Sequence, residues 1–154
     1  ARLTLEHPWQ LRFIEMMPFD GATNLQMDGI VTTGEMMQHV EQELGQLIPV
    51  NDGKLDGEAR LFCLPGAKGN IGFISSISAP FCYSCTRARL TADGVLRMCL
   101  LREYEVDLLT PLRRGVSMDE LRSMVLDAVW NKPWGHGLAE NEIPLNRVMS
   151  QIGG

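Results

Sequence analysis

The spacing of apolar positions changes several times along the chain, and each change marks an element. Residues 11–17 are a short apolar-rich run that reads as a strand, ended by Pro18 with Asp20-Gly21 as a turn signal. Arg12 and Glu15 interrupt this run. Charges inside a mostly apolar strand belong to a sheet edge or to a site. The period then lengthens. Met36, Val40, Leu44 and Leu47 share one helical face, Thr32 and Glu35 stand at capping-box spacing before it, and Pro49 is expected to stop the helix. Asn51-Asp52-Gly53 and Asp56-Gly57 read as exposed loop. Residues 60–64 and 71–77 are two further strands, separated by Pro65, Gly66 and Gly69, and Pro80 breaks the chain after them.

Residues 87–92 and 95–99 flank Asp93-Gly94, a strong hairpin signal, because a type I′ turn needs positive φ at both central residues. A second helix is predicted over 118–131. Ser117 and Glu120 form its capping box, Leu121, Met124, Val125, Ala128 and Val129 its apolar stripe, and Pro133 its end. Beyond Trp134 the chain is rich in Gly, Pro and Asn and reads as an irregular tail. Strands and helices in one chain make the fold class α/β.

The chemistry concentrates at Cys82, Cys85 and Cys99, which read C-x2-C-x13-C. The close pair puts two thiolates within reach of one centre. The predicted hairpin sets Cys99 opposite Ala88, give or take a residue, and so about 10 Å of strand from Cys85. Three thiolates from one local fold leave a coordination position open, whereas a structural zinc site is normally closed by four protein ligands. Cys63, in the apolar run Leu61, Phe62, Leu64, could complete such a site or be a buried, inert thiol. Spacing alone leaves zinc and iron–sulfur open, with a disulfide or plain core cysteines as lesser alternatives. His7, His39 and His136 have no partner at ligand spacing and read as surface or structural. Arg87 and Arg89 alternate onto one strand face, where a pair of guanidiniums suits a polyanion such as a triphosphate. Without the cysteines, a solvated strand face would be the better reading of those two arginines.

Composition narrows the picture only slightly. At 154 residues the chain suits a single domain, and 45% hydrophobic with 21% charged residues is ordinary for a globular protein. A formal net charge of −5 argues against a nucleic-acid polymer as partner. No apolar run approaches the roughly 18 residues of a membrane span, and a cytoplasmic setting is expected, where cysteines serve more often as metal ligands than as disulfides. The chain opens at Ala1 rather than Met and is expected to be part of a longer protein.

The stretch from Gly72 through Cys82-Tyr83-Ser84-Cys85-Thr86-Arg87-Ala88-Arg89 to Asp93-Gly94 resembles the second-cluster region of the GTP 3′,8-cyclase family. Cys99 falls at that family's third cysteine. Arg12-Phe13-Ile14-Glu15-Met16-Met17-Pro18 resembles a late barrel strand of the family, and Glu105-Val106-Asp107-Leu108 and the terminal Gly153-Gly154 also fit. The resemblance implies the C-terminal part of a partial TIM-like (β/α) barrel plus a C-terminal cluster-binding region with a β-hairpin. Residues 1–50 would supply a late barrel strand and helix, and residues 51–154 a cluster- and GTP-binding region with a flexible Gly-Gly tail.

The same resemblance implies a radical S-adenosylmethionine enzyme of molybdenum cofactor biosynthesis, a lyase that converts GTP to 3′,8-cyclo-7,8-dihydro-GTP. Cys82, Cys85 and Cys99 would hold a [4Fe-4S] cluster whose open iron binds the guanine. Arg87, Ala88 and Arg89 would line GTP, Arg12 would point at the nucleotide, and Met17 would contact S-adenosylmethionine. Gly153 and Gly154, which read alone as a frayed terminus, would reach toward the active site and be needed for activity. Two departures stand out. Thr86 replaces the family's usual Asn, and no C-x3-C-x2-C occurs in the chain. Radical generation is therefore expected to need an N-terminal radical-SAM half. The downstream cyclic pyranopterin monophosphate synthase is a pathway partner, and homodimerisation is compatible with the family. The rival expectation is a zinc-stabilised interaction module with Cys63 as fourth ligand.

Overall fold

A computed structural model describes residues 1–18, 29–137 and 147–152. These residues divide into two compact units, one built from 1–17 and 29–81 and the other from 82 onward.

The first unit opens with a short helix, α1 (Leu3–Glu6), and strand β1 (Gln10–Ile14). Helix α2 (Thr33–Leu44) follows, then β2 (Ile48–Pro49), β3 (Leu55–Asp56), β4 (Ala59–Cys63) and β5 (Asn70–Ile74). The sheet is mixed, in the order β1-β5-β4-β2, with β3 also pairing with β4. β1 runs parallel to β5, with Phe13 opposite Phe73, and the other pairings are antiparallel. The expected α/β class holds. The single parallel pair among the described residues is β1 with β5. Leu47, Leu64, Ile71 and Phe73 form the core, and Met36, Val40 and Leu44 of α2 pack against it. Phe13 and Phe62 flank Phe73 at ring-centroid distances of 5.6 and 5.7 Å.

The elements differ from expectation at their ends. The predicted strand 11–17 stops at Ile14, and the chain from Glu15 to Pro18 leaves the ladder. Asp20-Gly21 lies outside the described residues. The Thr32/Glu35 capping box is present on α2, but Gly45 rather than Pro49 ends the helix. Gly45 has φ +99°, a conformation in which a side chain is strained, while its N–H still bonds Glu41 O. Leu47 lies past the helix, where its N–H bonds the Glu41 carboxylate at 3.0 Å, and its side chain still reaches the core. Asp56-Gly57, read as loop, instead turns β3 into β4, with Asp56 opposite Ala59 and Gly57 at φ +63°.

The second unit begins with a 3-10 turn at Cys82–Ser84. A three-stranded antiparallel sheet follows: β6 (Arg89–Leu90), β7 (Val95–Arg97) and β8 (Glu105–Asp107). Helices α3 (Leu109–Arg113), α4 (Met118–Trp130) and α5 (Met149–Ile152) complete it. The hairpin stands where it was expected, but the turn is not type I′. Gly94 has φ +76°, while Asp93 has no positive φ. Thr91 closes the turn through its N–H to Val95 O and its Oγ1 accepting from Val95 N–H. The Ser117/Glu120 capping box is formed on α4, and Leu96, Met98 and Ala128 form the core with Val106, Leu108 and Val125 packed on it. Val129, placed in the predicted stripe, is exposed. Part of the predicted irregular tail is the short helix α5.

Candidate metal centre

The hairpin and the 3-10 turn together place the three motif cysteines. Cys85 N–H bonds Cys82 O at 3.2 Å, which closes the turn between the two. β6 pairs with β7 so that Arg89 faces Arg97 and Leu90 faces Leu96. The ladder stops at that Arg89–Arg97 pair, so Cys99, expected opposite Ala88, lies two residues past the end of β7 and pairs with neither Ala88 nor its neighbours there. All three thiols are free and half-buried.

Their electrostatics are those of neighbours. Burial pushes the Cys99 thiol up, and charge on Cys82 and Cys85 adds to that, while the Leu101 N–H and the Lys132 ammonium pull it down. Burial and the repulsion of neighbouring thiolates both favour the neutral form of Cys99. A metal that takes the place of their protons relieves both costs. Among the described residues no group of three His, Cys, Asp or Glu side chains is arranged to hold a single metal ion. Thiolates on an iron–sulfur cluster each bind a different iron and need not converge on one point. Three cysteines from one loop and hairpin are donors of the type such a cluster takes.

Arginine surrounds this site unevenly. Arg89 is half-buried, and burial followed by the charge of Arg87 lowers its guanidinium from the ordinary value, while Cys85 and Cys99 raise it. Arg87 and Ala88 are exposed. Cys63 sits at the end of β4 in the first unit, opposite Ile48. Arg12, also in the first unit, donates to Gln10 and forms a 3.1 Å ion pair with Asp56. Met17 is half-buried just past β1. Gly153 and Gly154 lie outside the described residues.

The segment that leads to those glycines is anchored. Arg147 grips Asp93 with two bonds, Nη2 to Oδ2 at 2.8 Å and Nη1 to Oδ1 at 3.2 Å, and donates Nε to Glu105 at 2.8 Å. Glu105 also pairs with Arg97, which is only 2% exposed and donates to Arg102 O at 2.6 Å. Ile152, the last described residue, is 1% exposed. The Arg147 bonds, with help from Thr91, hold the Asp93 carboxyl at a pKa of about 2. In Arg147→Ala, NMR titration of Asp93 is expected to return toward the ordinary 3.8. A midpoint still near 2 would show that Thr91 and the turn set it instead.

The chain matches the family described as Molybdenum Cofactor Synthesis C over residues 9–138. It belongs to the Molybdenum Cofactor Synthesis C family. It is also similar over its full length to curated proteins named GTP 3′,8-cyclase. Identity is 43% with the one from Desulforamulus reducens, 46% with Heliobacterium modesticaldum and 39% with Pelotomaculum thermopropionicum. The alignment covers 100% of this chain and 47% of each of those relatives, so the chain spans about half their length.

As a Molybdenum Cofactor Synthesis C chain, it contains polar residues whose places the pattern of the sequence did not reveal. Arg97 carried no signal in the sequence, and its partners Glu105 and Arg102 are reached only once the chain folds back into β8. Lys132 carried none either, yet its ammonium is 2.7 Å from Cys85 O. His136 has both ring nitrogens buried with no hydrogen-bond partner among the described residues, and burial lowers its imidazole from the ordinary value. Glu15 did carry a signal, a carboxylate in an apolar run, but nothing local told what it would bind. No described helix is long and apolar enough to cross a membrane.

Proposed function

We propose that this chain is the nucleotide-binding, C-terminal part of a GTP 3′,8-cyclase, acting in molybdenum cofactor biosynthesis. The observation that carries the reading is that one turn holds Cys82 and Cys85 and the hairpin after it carries the half-buried Arg89 and, two residues past β7, Cys99. On this reading the three cysteines hold a [4Fe-4S] cluster, and Arg87, Ala88 and Arg89 line GTP. When bound, the cluster supplies an open iron for the guanine. Guanidiniums suit the phosphates because they grip oxyanions bidentately and stay charged at any working pH.

On the same reading Arg12 would serve the nucleotide and Met17 S-adenosylmethionine, once a radical-SAM half is present. On this reading Gly153 and Gly154 are needed for activity, since residues without side chains allow close backbone approach to a ligand. The chain's own contribution is to bind and orient GTP; radical generation and the cyclisation to 3′,8-cyclo-7,8-dihydro-GTP need the other half. The product passes to cyclic pyranopterin monophosphate synthase.

The test is iron, sulfide and zinc per chain after anaerobic reconstitution, with an EPR spectrum before and after GTP. The proposal expects about four irons and a spectrum that GTP changes. One zinc, no iron and no response to GTP would replace it with a zinc-held interaction module.

A further inference from the structure

Helix α4 ends at Trp130, Asn131 caps it, and Pro133 turns the chain away. Between them Lys132 sends its side chain across to the cysteine loop. Its Nζ lies 2.7 Å from Cys85 O, 2.9 Å from Arg87 O and 3.6 Å from Cys85 Sγ. An ammonium has three protons, and these three acceptors take all of them. A lysine left to solvent keeps roughly 2 kcal/mol of rotamer entropy, so a stem held in one geometry needs contacts that offset this. The same segment covers the other member of the pair. A Cβ at Gly135 would stand 3.8 Å from Cys82 Sγ, and Gly135 O is fixed by Arg102 Nε at 3.0 Å.

We propose that Lys132 is a positioning residue for the metal centre: it ties the backbone of Cys85 and Arg87 to the end of α4 and donates an N–H···S bond to the Cys85 sulfur. The inference rests on the reading that Cys82, Cys85 and Cys99 hold an iron–sulfur cluster. Two consequences follow from the chemistry. Holding the carbonyls of Cys85 and Arg87 fixes the turn between a ligand and the arginines that follow it. A positive charge and a hydrogen bond on a ligating sulfur stabilise the more negative, reduced state and so raise the reduction potential. Partners of this kind typically change metal retention 10- to 100-fold when removed.

The experiment uses the full chain, reconstituted anaerobically, as wild type, Lys132→Met and Lys132→Arg. Iron release to a chelator and the midpoint of an EPR-monitored reductive titration are read, with circular dichroism confirming an unchanged fold. Lys132→Met is expected to release iron at least about tenfold faster and to titrate at a more negative potential. Lys132→Arg, which keeps charge and donors, is expected to restore most of the potential. Wild type that loads iron while Lys132→Met matches it in release and in midpoint would overturn the role of Lys132. If Lys132→Met perturbs the fold, Lys132→Gln, which removes the charge and keeps a donor, is read in its place: a more negative midpoint supports the role, and one equal to wild type refutes it. Wild type that loads no iron would overturn the cluster reading itself.

Discussion

Serine in place of Cys82, Cys85 or Cys99 is expected to take the reconstituted chain from about four irons to fewer than one, in each variant separately. Serine keeps the size of the side chain but removes the soft, readily ionised donor that binds iron. The loss should be nearly complete, because on this reading the cluster has only three protein ligands and each variant leaves two half-buried thiols. Cys63→Ala should leave the iron unchanged, since the cluster reading uses Cys82, Cys85 and Cys99 and gives Cys63, a β4 residue, no ligand role. Iron that survives Cys99→Ser but vanishes with Cys63→Ala would assign the metal to a different set of ligands. Colorimetric iron and sulfide on the four variants, side by side, gives the answer.

The second large effect lies away from the metal, at Glu15. Its carboxylate is 1% exposed, which taken alone would raise its pKa. Four donors converge on it: the N–H groups of Thr33 at 2.7 Å, Ile77 at 2.7 Å and Ser78 at 2.9 Å, and the Ser78 hydroxyl. Together these outweigh burial and hold the carboxyl below its ordinary 4.5. The bonds join three segments of the first unit: the end of β1, the start of α2, and the strand exit after β5, where Ser75 also donates to Thr33 Oγ1 at 2.8 Å. Glu15→Ala strands three backbone donors at about 1–3 kcal/mol each. An overall loss of about 4 kcal/mol, or about 10 °C in Tm, is expected.

The pH dependence has a definite sign. A carboxyl whose folded pKa is lowered contributes stability above its unfolded value near 4.5 and loses it as pH falls through the folded value. The gap in Tm between wild type and Glu15→Gln should therefore be widest above pH 4.5 and should shrink in acid. A gap that is the same at pH 3 and pH 7 would mean that Glu15 carries no proton linkage.

Local signals proved readable where their partners lie within four residues. Both capping boxes formed because Ser or Thr and the Glu three places on need only one another. The Asp93-Gly94 hairpin was legible for the same reason. Its turn type was not, because Gly94 alone takes positive φ and a side chain there would meet Leu109, a residue from beyond β8. The end of α2 was misplaced because proline and glycine both stop helices, and Gly45 comes first. Of the candidate site, the three thiols were visible in the spacing, but the pairing expected for Cys99 is not formed, because the ladder ends at Arg97. The cations were not visible. Lys132 meets Cys85 across 47 positions, and Arg147 meets Asp93 across 54, so only the packed fold brings them together.

The central claim is that the three cysteines make a nucleotide site and not merely a structural staple. Equilibrium binding of GTP to the chain with and without its reconstituted cluster tests this most directly, with ATP as the control. The account predicts that GTP binds the iron-loaded chain, that ATP competes poorly, and that removing the cluster weakens GTP binding by tenfold or more, about 1.4 kcal/mol. Equal GTP binding to loaded and cluster-free chains, or none to either, would contradict it.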